Sequence, residues 1–312
     1  MRSSRAIAAA RVAADRSERR DEFIVTAYKL AAKVAKFTPG PLASACAPAL
    51  GFAFSQAMRG RRSTIERHLQ RARGPLGPGE LRLSVQQSFE SYARYWIESF
   101  RLPDLPRSAI EAGIKVPNWS IVTDALALGN GAILALPHLG GWEWAGRWVA
   151  DQGHRITVVV ETIEPPELFE WFRSLRTDLG MTVVPLGPEA GSAVLKALRS
   201  NEVVCLLSDR DISRDGIEVT FFGEKTTLPA GPATLALRTG APLIPCAAFY
   251  EPGGLRRRAD VLPALDLTRH GKLREDITRI TQDLATKLEG LIRLAPEQWH
   301  LFQPNWPSDP GY

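Results

Sequence analysis

The stretch that most limits the fold of this chain runs from residue 132 to residue 208. Four short runs rich in β-branched and aliphatic residues, AILAL (132–136), RITVVV (155–160), TVVPL (182–186) and VVCLLS (203–208), alternate with helical stretches at 141–151, 165–180 and 188–200. Such alternation predicts parallel strands joined by helical crossovers. IEVTFF (217–222), a helix from about Gly231, and PLIPCAAFY (242–250) extend the pattern. The expected fold class is α/β, a mixed, mainly parallel central sheet flanked by helices. At 312 residues and 45% hydrophobic content, the chain can bury a sizeable core.

Upstream, GPLGPGE (74–80) punctuates the chain. The helix that follows, LRLSVQQSFESYARYWIESFRLP, ends before Pro103 and puts Tyr92, Tyr95, Trp96 and Phe100 among its apolar contacts. A last long helix, 271–293, sets Leu273, Ile277, Ile280, Leu284, Leu288 and Leu291 on one face. These marks divide the chain into a flexible basic tail (1–20), a basic helical region (21–73) and an α/β catalytic domain (74–312).

The formal charge of +5 is distributed unevenly. Residues 1–20 carry six arginines against two acids and residues 21–73 carry nine Lys/Arg against three acids, so residues 74–312 are net −5. Within 22–37, Ile24, Ala27, Tyr28, Ala31, Val34 and Ala35 recur at helical spacing, while Lys29, Lys33 and Lys36 take the other side. This amphipathic basic helix, followed by the soft apolar segment 41–58 and RGRR (59–62), suits an anionic lipid surface. The alternative is a core-packing helix with a solvated lysine face. Nucleic acid is disfavoured because the basic segment lacks interleaved aromatics for stacking. Pro48 and an Ala-rich composition argue against a spanning helix at 41–58, and no secretory signal stands out. Cys46, Cys205 and Cys246 share no metal or redox spacing and read as small buried residues of a reducing compartment.

The chain has no G-x-S-x-G, G-x-x-x-x-G-K-[ST], H-E-x-x-H or C-x-x-C motif, which argues against a serine hydrolase elbow, a P-loop and a zincin. His138 stands out among five histidines because it follows a predicted parallel strand, at the edge where open α/β sheets bind ligands. In PHLGGWE the two glycines permit a tight turn, after which Glu143 falls in the first turn of a helix. On a continuous helix five residues advance about 500°, so His138 and Glu143 can meet only across that turn. A second cluster, SDRDISRDG (208–216), follows another buried strand, and Asp209, Arg210 and Asp211 would sit beside the His138 turn if the two strands are neighbours. A third, LPAGPAT, leads into a helix whose free N–H groups can meet an anion. The plain alternatives are a turn histidine, a surface ion-pair loop and a capped helix start.

SYARYWIESFRLP, LALPHLGGWEWAG, DRDISRDGIEVTFFGEKTTLPAGPATLALRTGAPLIP and the closing PEQWHLFQPNW together resemble the bacterial lipid A acyltransferase superfamily. The resemblance runs from about residue 85 to 306 and is strongest to the actinobacterial phosphatidylinositol mannoside acyltransferases. It implies transfer of a long, palmitoyl-type acyl chain from acyl-CoA to the 6-hydroxyl of a mannose on phosphatidylinositol mannoside. The family's H-x4-[D/E] motif falls on His138 and Glu143. Its second acidic position falls on Asp209, where a glutamate is expected in mycobacterial relatives. Arg176 in LRTDLG matches a basic position, and Glu161 and Arg210 are candidates for the acceptor side.

The resemblance implies His138 as general base, with Glu143 or Asp209 as the carboxylate that serves it. It implies no metal, no cofactor beyond acyl-CoA as co-substrate, and no covalent acyl-enzyme. It also implies peripheral attachment to the cytoplasmic face of the cell inner (plasma) membrane through the basic N-terminal region. A lauroyl- or myristoyl-type lipid A acyltransferase using acyl carrier protein, and a non-catalytic lipid-binding relative, are the competing expectations.

Overall fold

The computed structural model describes residues 21, 22 and 24–312; the basic tail read at 1–20 lies outside the described residues. Four helices come first, α1 (24–37), α2 (Gly40–Ala45), α3 (Ala47–Ala57) and α4 (Arg59–Arg73). The apolar segment 41–58 is thus two helices with a corner at Cys46, and Pro48 lies in the first turn of α3, where its missing N–H breaks no helical bond. The aromatic helix α5 (Pro78–Arg101) packs closely on α3: a Cβ on Gly51 would come within 2.6 Å of the Glu90 Cα. No described helix is long and apolar enough to cross a membrane.

The periodicity of α1 is used in a way its lysines did not predict. Ile24, Val25, Tyr28, Ala32 and Ala35 pack against the core, and Tyr28 sits edge-on among Trp96, Phe100 and Phe172. Ala27, Ala31 and Val34, read as part of the apolar face, are exposed. Leu30, Val34 and Phe37, spaced i, i+4, i+7, form a second, outward apolar row, at 61%, 59% and 73% exposure.

After α6 (Arg107–Ala112), β1 (Ile114–Lys115) and α7 (Ser120–Ala127), the alternating segment forms β2 (Ala132–Leu136), α8 (Trp142–Asp151), β3 (Ile156–Val160), α9 (Pro166–Asp178), β4 (Met181–Pro185), α10 (Ala190–Arg199) and β5 (Val203–Leu207). IEVTF is not a further strand of that sheet. It is β6 (Ile217–Phe221), which pairs antiparallel with β7 (Glu224–Leu228) as a separate hairpin. Then come α11 (Gly231–Thr239), β8 (Leu243–Tyr250), β9 (Arg257–Val261) and α12 (Leu273–Leu294).

The central sheet has seven strands in the order β1-β9-β8-β2-β5-β3-β4. β8, β2, β5, β3 and β4 are parallel, so their carboxyl ends share one edge; β9 runs antiparallel to β8 and carries β1. Side-chain alternation feeds two cores. Ile133, Val204 and Leu243 face α10, α11 and α12, whereas Leu134, Val203 and Ile244 face α7, α8 and α9. Both faces of β2 are therefore buried, and its functional residues can emerge only at its end.

Candidate active site

β2 and β5 pair in the register Leu136↔Leu207. Two residues beyond that pair, His138 and Asp209 leave neighbouring strands side by side, about one strand spacing, ~4.8 Å, apart. The His138 Nδ1–H donates to Asp209 Oδ1 at 2.8 Å, and the His138 backbone N–H donates to Oδ2 at 3.0 Å. A carboxylate on Nδ1 fixes the tautomer that leaves Nε2 free to take a proton. Nε2 makes no hydrogen bond among the described residues, and the imidazole, 28% exposed, lines an open cleft.

Asp209 is fully buried and oriented by more than histidine. Trp299 Nε1–H donates to its Oδ2 at 2.7 Å, and Asn305 Nδ2–H to its main-chain carbonyl at 3.0 Å. Burial alone would raise its pKa, but the His138 charge and the hydrogen bonds from His138 and Trp299 outweigh it and hold the carboxyl below its ordinary value. The Asp209 side chain, one methylene shorter than the glutamate expected at this position in mycobacterial relatives, reaches His138, because the strand register brings the two backbones together.

Glu143 has other partners. In the first turn of α8 and 4% exposed, it accepts from Arg176 Nε (2.9 Å), Arg176 Nη2 (2.6 Å) and the Tyr95 hydroxyl (3.1 Å), all on Oε1. Burial lowers the Arg176 pKa, and the neighbouring Glu143 charge more than restores it. Burial, reinforced by Glu143, raises the pKa of Tyr95 far above its usual value. Trp142 separates the two carboxylates, stacked on Tyr95 at 4.2 Å and edge-on to His138 at 5.9 Å. Glu161, just past β3, accepts from Arg210 Nη1 at 3.2 Å on the cleft rim.

Two spaces meet at this edge. The cleft, about 2070 Å³ and partly open, is bordered by Tyr92, Trp96, His138, Glu161, Arg210 and the start of α11. A second, narrower cavity lies between α8 and the sheet, lined by Leu134, Val158, Cys205, Cys246, Gly146 and Met181. Trp142, Val160, Arg176 and Leu207 border both. The cavity walls are almost wholly apolar, and burial raises the thiol pKa values of Cys205 and Cys246, the latter to about 12.

All six residues singled out from the sequence therefore stand at one edge, as three separate pairs: His138 with Asp209, Glu143 with Arg176, Glu161 with Arg210. Asp211 is spent locally, its carboxylate accepting from Gly216 N–H at 2.8 Å. Sequence reasoning missed Trp299 and Asn305 as partners of Asp209, and Tyr95 as a polar contact of Glu143. The signal for the first two was WHLFQPNW, a dense aromatic and amide cluster after the last helix. Among the described residues no group of His, Cys, Asp and Glu has the arrangement of a metal site.

An imidazole oriented by a buried carboxylate, beside an apolar cavity at the strand ends of an open α/β sheet, has the parts of a group-transfer enzyme with a partly apolar substrate. Residues 15–308 match the family described as bacterial lipid A biosynthesis acyltransferase, and the chain belongs to that family of acyltransferases. It is 41% identical over 228 residues to the phosphatidylinositol mannoside acyltransferase of Mycolicibacterium smegmatis, covering 72% of this chain and 73% of that protein. The same identity over 227 residues relates it to the phosphatidylinositol mannoside acyltransferase of Mycobacterium tuberculosis strain H37Rv, covering 71% and 70%.

Proposed function

We propose that the protein transfers a long acyl chain, palmitoyl in type, from acyl-CoA to the 6-hydroxyl of a mannose on a phosphatidylinositol mannoside. The observation that carries this reading is the His138–Asp209 pair, whose Nε2 is free in a polar-rimmed cleft that shares the walls Trp142, Val160, Arg176 and Leu207 with an apolar cavity. Nε2 takes the proton from the mannose hydroxyl as its oxygen bonds to the thioester carbonyl carbon, and as the C–S bond breaks the imidazolium returns that proton to the departing CoA sulfur. Asp209 keeps Nδ1 protonated and balances the imidazolium that forms. The acyl chain occupies the cavity under α8, and Glu161 and Arg210 meet the sugar at the cleft rim. Glu143 serves by holding Arg176 where cavity and cleft join.

The outward row Leu30, Val34 and Phe37 is exposed on the helix that carries Lys29 and Lys33, Leu42 and Phe52 are exposed on α2 and α3, and RGRR opens α4. This mixture supports peripheral docking on an anionic inner-leaflet surface, with insertion of apolar side chains and roughly 1 kcal/mol per basic residue. The test is mass spectrometry of products formed from palmitoyl-CoA and a mixed pool of mannoside acceptors. Palmitoylation of mannose at the 6-position is expected. Transfer only from acyl carrier protein to a lipid A precursor, or no transfer at all, would overturn the reading.

A further inference from the structure

We propose that Trp299, delivered by the carboxy-terminal segment that crosses the active-site loop, is a positioning residue that sets the carboxylate of Asp209 against the His138 imidazole. The proposal rests on the reading of His138 as the base. It begins with a question of satisfaction: Asp209 is a buried carboxylate, and such a group needs donors on each oxygen to hold one orientation. His138 supplies one donor to each oxygen, and both come from the same residue of the loop between β2 and α8. Trp299 supplies the donor from outside that loop, 90 residues along the chain from Asp209.

The placement of Trp299 is over-determined. The Gln298 side chain brackets Tyr250 at the end of β8, accepting from its N–H at 2.7 Å and donating to its carbonyl at 3.0 Å. On either side of a Leu139↔Trp299 bridge, Gly140 N–H donates to the Gln298 carbonyl at 3.0 Å and His300 N–H to the His138 carbonyl at 2.7 Å. The loop of His138 is thus pressed between β8 and the carboxy-terminal segment. Gly140 is required there: its φ is +58°, and a Cβ would lie 2.2 Å from the Ala248 carbonyl oxygen. The Trp299 ring is 3% exposed and packs 5.2 Å from His68 and 5.6 Å from Phe222, so its N–H has one fixed direction. Asn305 of the same segment ties down the Asp209 main chain.

A residue that only fills space there would be replaceable by another ring. The test uses the full chain and compares wild type, Trp299→Phe and Asp209→Asn in two readouts. The first is the strongly downfield proton resonance of an imidazole N–H bonded to a carboxylate, assigned to His138 by its absence in His138→Ala. The second is steady-state transfer, separated into kcat and KM. Trp299→Phe is expected to move the resonance upfield and broaden it, and to lower kcat roughly tenfold with KM for acyl-CoA little changed, the weight of one hydrogen bond to a charged group. Asn305→Leu, which leaves the indole in place, is expected to act in the same direction by about threefold. It carries the test if Trp299→Phe melts too low to assay.

An unchanged resonance in Trp299→Phe or, where that variant melts too low, in Asn305→Leu, with or without loss of turnover, would overturn the positioning role. The resonance is read without turnover. A shift in Trp299→Phe therefore supports the positioning role even if His138→Ala retained full transfer, a result that would overturn the base assignment alone.

Discussion

Two carboxylates at the same strand-end edge, Asp209 and Glu143, are 0% and 4% exposed, and each faces a basic side chain. They differ in what that partner can do. The imidazole on Asp209 has one nitrogen bound, and its second nitrogen, which can take a proton, meets the cleft. The guanidinium on Glu143 has donors only and spends two of them on a single carboxylate oxygen. Burial and ion pairing alone therefore do not mark the chemical site. The mark proposed here is a partner with one face bound and the other open, and by that criterion the sequence motif H-x4-E joins the proposed base to a residue of a different pair.

The comparison breaks if the two pairs respond alike to substitution. The largest effect is expected for His138→Ala, which should lower acyl transfer by about 10² to 10⁴ while leaving the circular dichroism spectrum intact; retention of more than about a tenth of wild-type turnover would be incompatible with a base there. Asp209→Asn should lower kcat roughly 10- to 100-fold, the equivalent of ~1.5–3 kcal/mol for a hydrogen bond to a charged group.

The same Asp209 substitution sharpens the comparison at low pH. A carboxyl held below its unfolded value of about 3.9 gives stability that is present above that pH and lost as pH falls through the lower folded-state value. Acid unfolding followed below about pH 4 should therefore be shallower in Asp209→Asn than in wild type. Glu143→Gln should do the reverse of Asp209→Asn at neutral pH. It leaves the Arg176 charge without its partner, costing about 3 kcal/mol in the melting transition, and below its new melting temperature kcat should fall far less than in Asp209→Asn.

Much of this edge was legible in the chain. The β-rich runs at 132–136 and 203–208 announced strands of a mainly parallel sheet, but that they are neighbours is seen only in the fold, and their in-register pairing makes His138 and Asp209 emerge together. The partner of Glu143 was not legible, because a spacing of five residues says where a side chain leaves the backbone and not which neighbouring helix it meets; α9 supplied Arg176 from 33 residues away. The carboxy-terminal contribution was hidden for a related reason. Trp299 and Asn305 follow the last helix in an irregular segment without periodicity, and only the folded chain lays that segment across the loop of His138. In α1 the helical spacing was read as one apolar face, but the half-buried side that packs on the core is Ile24, Val25, Tyr28, Ala32 and Ala35, with Tyr28 met by the aromatic surface of α5 and α9, while Ala27, Ala31 and Val34 are exposed.

The central claim is that His138 and Asp209 act as one unit and that Glu143 belongs to another. A double-mutant cycle on acyl-transfer rate tests it most directly. In the His138→Ala background, Asp209→Asn should cost nothing further, while Glu143→Gln should cost the same factor that it costs in wild type. A full multiplicative loss from Asp209→Asn in that background, or its disappearance for Glu143→Gln, would contradict the assignment.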